Sequence, residues 1–322
     1  MPTEVAANGQ PFVINPQLTR IAMAVMSSDF IAERVCPFVP VAVELFQYTK
    51  VSTKDLFQHP DDLIGRTGAA NQIEFATSDE TDRTIDRGLE VPVPLKDLDT
   101  AAAANMQDPR GWKVEAATRI LLRLHEIRVA GLIFNANNYA SGYKVTLDGT
   151  AGKYRFDDET NGNPILYLEN AIEGMIVKPN TLTVGESTWN AIRRHPKTIT
   201  RLYGSASTRG SARTEDVASE LGLSRINVGT AWRDSATKGQ AMNQAKIWGD
   251  YAALTRVETG LQSAQTVEPT FAMCAQFGTR EVGTYFDPSR GKRGVEVTKI
   301  VWSIKELVSW QSAGYLFSDC VS

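Results

Sequence analysis

Residues 50–99 constrain this chain more than any other stretch. They carry 11 acidic and 6 basic side chains, a net of −5. Asn71–Phe75 and Arg83–Pro94 look like strands, and in the second Val91, Val93 and Leu95 alternate with Pro92 and Pro94. Prolines at alternate positions suit an edge strand, where the missing N–H is not needed. Val41–Val51 reads as a strand leading into this stretch. Few large apolar residues are present to cover both faces. A stretch of strands with so little core does not fold as a compact unit by itself. The sequence therefore predicts a projecting hairpin that needs a neighbouring surface.

The flanking segments are of another kind. Residues 1–16 carry Pro2, Gly9, Pro11 and Pro16 and read as an extended arm, which orders only where another surface ties it down. Leu18, Ile21, Val25, Met26 and Ile31 predict a helix over Gln17–Val35, stopped by Pro37 and Pro40. The longest helix lies near Trp112–Asn138. Asp108 caps it, Pro109 takes its first position, and Glu115 and Arg119 pair at four residues. Ala117, Ile120, Leu121, Leu124, Ile127, Gly131 and Phe134 form its apolar stripe. At ~1.5 Å per residue it spans about 40 Å, the spine of an elongated molecule.

Strand and turn chemistry returns at Tyr143–Leu147, Asp148-Gly149 and Asp157–Asn163. A helix at Glu169–Ile176, a buried strand at Thr181–Val184 and a helix at Gly185–Arg194 follow. Next come a helix at Thr214–Leu221, capped by Thr214 and ended by Gly222, and strands at Arg225–Val228 and Lys246–Val257. This alternation marks residues 173–262 as a separate α/β domain. Its charge is opposite to the hairpin's: residues 178–246 hold 11 basic and 5 acidic side chains, a net of +6. The last sixty residues turn to β again, at Val295–Val301, Glu306–Trp310 and Gly314–Phe317, and are expected to rejoin the sheet begun around 143–147.

Chemistry is sparse. At 322 residues and 42% hydrophobic the chain affords a core without staples, and a net charge of −3 argues against a dedicated basic nucleic-acid binder. Cys36, Cys274 and Cys320 lack any CxxC spacing, which argues against disulfides and zinc and for free thiols in a reducing compartment. No apolar run reaches the ~18–20 residues of a membrane span, and the first residues lack the features of a secretory signal. His59, His125 and His195 have no partner at a ligand or triad spacing. His125 is expected on the polar flank of the long helix. His195 ends an Arg193-Arg194-His195 run, where cations suit a helix C-terminus. Gly149-Thr-Ala-Gly152-Lys153 lacks the spacing and the hydroxyl of a phosphate loop and reads as a β-turn. The acidic runs Asp79, Glu80, Asp82 and Asp157, Asp158, Glu159 read as solvated turns and not cation sites. Arg193, Arg194, Lys197 and Arg201 have phosphate-contacting chemistry but no interleaved aromatic platform. No catalytic, cofactor-binding or metal residue is assigned, and the chain is not expected to be an enzyme.

Two phrases carry a family resemblance. One is Lys178-Pro-Asn-Thr-Leu-Thr-Val-Gly-Glu-Ser-Thr-Trp-Asn-Ala-Ile-Arg-Arg-His-Pro196. The other runs from Glu220-Leu-Gly-Leu through Ile226-Asn-Val-Gly-Thr-Ala-Trp232 to Lys246-Ile-Trp-Gly-Asp-Tyr-Ala-Ala-Leu254. With the order of elements, they make the chain resemble the major capsid proteins of tailed phages, of the Hong Kong 97 fold and lambda-type. The resemblance implies an α+β chain in five parts. These are an N-terminal arm and helix (1–40), an E-loop hairpin (41–96) and a peripheral P-domain with the spine helix (97–172), then an axial A-domain (173–262) and return strands of the P-domain (263–322). It further implies hexamers and pentamers in an icosahedral shell around double-stranded DNA, touched non-specifically. A separate scaffolding protein, a portal and possible decoration protein would be partners, with no membrane. The protein would reside in the virion after assembly in the host cytoplasm. Arg66, Asp79, Glu80, Asp82, Arg83, Arg193, Arg194 and Arg201 are the candidate contacts between subunits, because an acidic hairpin and a basic domain on one chain complement each other between copies. Lys50 and Lys54 lie near the hairpin, but no surrounding motif transfers the cross-link some relatives form. Alternatives are an encapsulin-like compartment, a tail or baseplate module, and an enzyme with a novel site in 173–262.

Overall fold

The computed structural model describes residues 12–25, 29–50, 57, 59, 62–64, 66, 68, 70, 78–106, 108–205, 210–237, 239–261, 263–264 and 270–322. Helix α1 (Pro16–Ala24) starts where the Asn15 side chain accepts the N–H groups of Gln17 and Leu18, with Pro16 at the first helical position. The single helix expected over Gln17–Val35 is thus two, since α2 (Ala32–Val35) is a separate turn. Its cause is distant in sequence. The Glu126 carboxylate accepts the N–H groups of Ile31 and Ala32 and so supplies a second helix start.

The main sheet runs β1 (Val13–Ile14), β12 (Ala272–Asp287), β13 (Val295–Val308), β5 (Ile85–Pro94). A further strand, β2 (Phe38–Val41), lies parallel to β12. β5 is an edge strand, with Pro92 opposite Val297 and Pro94 opposite Val295, so neither missing N–H costs a ladder bond. Half of the expected hairpin therefore belongs to the main sheet. What remains is a two-stranded ribbon, β3 (Leu45–Lys50) against β4 (Ser78–Arg83), with Leu45 opposite Arg83 and Lys50 opposite Ser78. Phe46 and Tyr48 are its buried side chains, in a small cluster with Val39, Met273 and Leu307. The expected strand at Asn71–Phe75 lies outside the described residues. The sequence marks no strand over 272–287, whose pattern is interrupted: the ladder with β13 shifts register between Phe277 and Glu281.

Short helix α3 (Leu95–Ala103) leads to the spine, α4 (Pro109–Ile133). Asp108 accepts the Arg110 N–H and Pro109 sits at the first position, as expected. Its 25 residues span about 37 Å. It stops before Asn138 because Ala136–Asn138 tightens into a 3-10 turn capped by Asn135. Val114, Ala117, Leu121, Leu122, Val129, Ala130 and Ile133 are buried. Ile120 and Leu124, expected in the same stripe, are 49% and 41% exposed.

The second sheet runs β6 (Lys144–Thr146), β14 (Gly314–Ser318), β11 (Ala252–Thr255), β7 (Thr181–Gly185), β8 (Arg225–Gly229), so only the last of the C-terminal segments rejoins the sheet begun near 144; Val295–Val301, also expected there, belongs to β13 of the main sheet. Leu182, Val184, Leu254 and Phe317 meet one core with α5 (Pro164–Gly174), α6 (Glu186–Arg194) and α8 (Thr214–Glu220). Between α6 and α8 lies α7 (Pro196–Tyr203). Thr214 does not cap α8: Arg213 is the cap residue without a side-chain bond, and the Thr214 hydroxyl donates to Glu215. The strand expected over Lys246–Val257 is broken. β10 (Gln244–Lys246) pairs with β9 (Trp232–Asp234), and the fully buried Trp248 separates it from β11. Trp248 fits only because Gly229 has no side chain, since a Cβ there would lie 2.2 Å from the indole. Among the described residues no helix is long and apolar enough to cross a membrane.

Candidate functional site

The histidines are placed by structure and not by chemistry. His125 is 1% exposed, contrary to the expected polar flank. Its Nδ1 is 2.8 Å from Glu306 Oε1, and Arg128 Nε donates to the same oxygen at 2.8 Å. Phe38 stacks on the imidazole at 5.5 Å and Trp302 meets it edge-on. Burial pushes the Glu306 carboxyl up, but the His125 bond and charge and the Arg128 charge outweigh it and hold it at about 2. His195 is also buried, and it is no dipole-stabilised cation. Its Nδ1 accepts the Lys197 N–H and its Nε2 donates to the Asp158 carbonyl, the pattern of a neutral ring capping α7. His59 is exposed.

Donor atoms of His125, Cys274 and Glu306 lie within 4.8 Å of one another. A guanidinium already on Glu306 opposes a cation there, and burial pushes the Cys274 thiol up, away from the thiolate a metal requires. His125 and Arg128 on Glu306 form a structural network. The three cysteines are free and buried. The neighbouring Glu126 has no exposure and accepts Trp248 Nε1 at 2.6 Å besides the two N–H groups of α2. Burial raises its pKa, and these donors counter the rise. One carboxylate thereby ties the N-terminal segment, the spine helix and the segment between β10 and β11 together.

Gly149–Lys153 is a turn closed by Gly149 N–H to the Lys153 carbonyl, as the sequence predicts. Asp158 caps its own turn by accepting the N–H groups of Thr160 and Asn161, and Asp157 accepts the Ser322 hydroxyl.

The surface charges fall into two separate groups. Asp79, Glu80, Asp82 and Arg83 stand on β4. There the Tyr48 hydroxyl donates to Glu80 at 2.6 Å, Asp82 pairs with Lys305 at 3.1 Å, and Arg83 reaches Glu44 at 3.2 Å. Burial first, then Glu80, pushes the Tyr48 hydroxyl pKa up. Arg66 is exposed. Arg193, Arg194 and Arg201 stand on α6 and α7. Arg201 bridges Glu169 at 2.5 Å and Glu220 at 2.8 Å, while Arg193 is half-buried and Arg194 is exposed. Sequence reasoning missed the Glu126 and Glu306 networks, since both elements carry several other charges and nothing local marks these two carboxylates as buried. It also missed an exposed apolar ridge on α4, having placed Ile120 and Leu124 in the helix's apolar stripe.

No family model matches the chain. A major capsid protein of Pseudomonas phage JBD67 is 34% identical over 312 residues, covering 97% of this chain and 98% of the relative. Among solved structures, a phage-related protein from Bordetella bronchiseptica RB50 matches with a TM-score of 0.73 at 22% identity, over 96% of this chain and 98% of that one. The capsid of cyanophage P-SCSP1u matches with a TM-score of 0.58 at 11% identity, over 91% and 90%.

Proposed function

The chain belongs to the major capsid proteins of tailed phages, and from that premise we propose that its copies close as hexamers and pentamers of an icosahedral shell around double-stranded DNA. It is a structural shell protein with the Hong Kong 97-like fold, a component of the virion capsid. The phage relative at 34% identity favours this over the compartment and tail-module alternatives. Assembly in the host cytoplasm, with a separate scaffolding protein, a portal and a decoration protein as partners, belongs to the same proposal. So does the absence of catalysis, which rests on histidines and carboxylates engaged in holding elements together.

The observation that carries the reading is the ribbon. β3 and β4 are joined through residues 51–77, where the described Phe57, Leu63 and Ile64 are 57%, 82% and 56% exposed. Apolar side chains at the end of a two-stranded ribbon with little core of its own call for a second surface. In a shell that surface is the next subunit, and head-to-tail contacts of this kind close into rings. Replacing residues 53–76 by a short Gly-Ser turn should leave a soluble, folded chain that makes no shells. Normal closed particles of this variant in negative-stain electron microscopy would overturn the ribbon's role between subunits.

A further inference from the structure

We propose that the outer face of α4 docks an amphipathic helix with acidic flanks, supplied by a separate assembly protein. This rests on the shell reading with a scaffolding partner and names the surface that partner uses.

Trp112, Ala116, Ile120 and Leu124 follow one another at four-residue steps on α4 and are all exposed. Trp112 is 56% exposed, the most of the ridge's large side chains. Four-residue steps make a continuous ridge of the kind that seats in the groove of a crossing helix. From first to last it covers about 18 Å, or some three turns. The inner face of α4 is buried on the main sheet and α1, so the helix is apolar on both sides. A helix of that kind is covered on both sides in its working state.

The charges around the ridge select the occupant. Arg119 and Arg123 each precede a ridge residue, and Lys113 lies over the Trp112 ring at 5.8 Å. At the same end α1 brings the exposed Arg20 and also Ile21, whose Cδ1 lies 3.8 Å from the position a Cβ would take on Gly111. Arg119 is paired with Glu115. Among the described residues Arg20 and Arg123 make no ion pair. Two copies of this face would oppose like charges, so it does not pair with itself. Nucleic acid would satisfy the arginines but leave the ridge uncovered. An apolar helix edged with carboxylates satisfies both, in the helix-in-groove mode.

The test uses the full chain and two synthetic helical peptides. One has leucines at three- and four-residue steps flanked by glutamates; the other has lysines in place of those glutamates. The glutamate peptide is expected to bind saturably, as read by fluorescence anisotropy. Ile120→Glu should weaken it at least about tenfold, and so should the pair Arg20→Glu with Arg123→Glu. That charge-reversed pair should instead prefer the lysine peptide, a swap that a misfolded variant cannot produce. Binding of neither peptide, equal binding of both, or indifference to these substitutions overturns the proposal. Two other occupants would show themselves. If Ile120→Glu changes the chain's own oligomeric state while wild type takes up no peptide, the face is an interface between copies. If a thiol placed by Leu124→Cys resists maleimide until residues 1–11 are removed, the chain's own arm covers it. That labelling reads cleanly because the native cysteines are buried. Electron microscopy of the wild-type preparation separates the two readings: shells without peptide binding refute only the docking face, and no shells under any condition refutes the shell.

Discussion

Glu306 shows what a buried charge does in this chain. Its carboxyl is held at about 2, below the ordinary 4.5, by His125 and Arg128 against the cost of burial. A depressed carboxylate stabilises the fold above its unfolded pKa and loses that contribution as pH falls toward the folded value. The window is therefore from about pH 4.5 down to 2, and the contribution is on the order of 3 kcal/mol. Urea midpoints should fall between pH 5 and pH 3 in the wild type. Glu306→Gln should be less stable at pH 7 and flatter across that window; an equally steep profile in the variant would refute the assignment. None of this was legible in sequence, because Glu306 is 181 residues from His125. His195 misled for a related reason. Its place beside two arginines suggests a cation, but its ring is committed to capping the next helix through the Lys197 N–H.

At the level of elements, local chemistry was legible and faces were not. Asp108-Pro109 starts α4 and Pro92 and Pro94 mark an edge strand, since caps and missing donors act within a few residues. The stripe assigned to the α4 core was only half right. A helix apolar on two faces has no periodicity that tells the inner from the outer side. On α6 and α7 the arginines divide by their partners. Arg201→Ala removes bridges to Glu169 and Glu220 and should cost the isolated chain up to about 1 kcal/mol, because the pairs are largely solvent-exposed. Arg194→Glu should leave thermal unfolding unchanged and reduce shell yield, most at low ionic strength. If shell yield by size-exclusion chromatography is the same at low and high salt, Arg194 is not a docking charge.

Across the whole molecule, two cores meet at Trp248. It packs with the spine cluster, with Phe134 edge-on at 5.4 Å, yet it rests on Gly229 at the margin of the second sheet. Gly229→Ala should shift the indole or the strand and destabilise the chain by about 1–3 kcal/mol, seen as a lower urea midpoint. A midpoint equal to wild type would mean that the ring relaxes freely and does not couple the layers. The amino-acid sequence by itself determined the start of α4 at Asp108-Pro109, the edge position of the strand carrying Pro92 and Pro94, and the ribbon's poverty of core, since each depends on neighbours along the chain. It also held the phrases that tie the chain to its family. The tertiary structure alone decided three things: that β5 joins the main sheet, that Glu126 starts a helix 94 residues away, and which side of α4 stays exposed. Those outcomes depend on contacts between distant residues, whose free energy exists only once the chain has closed the loops between them.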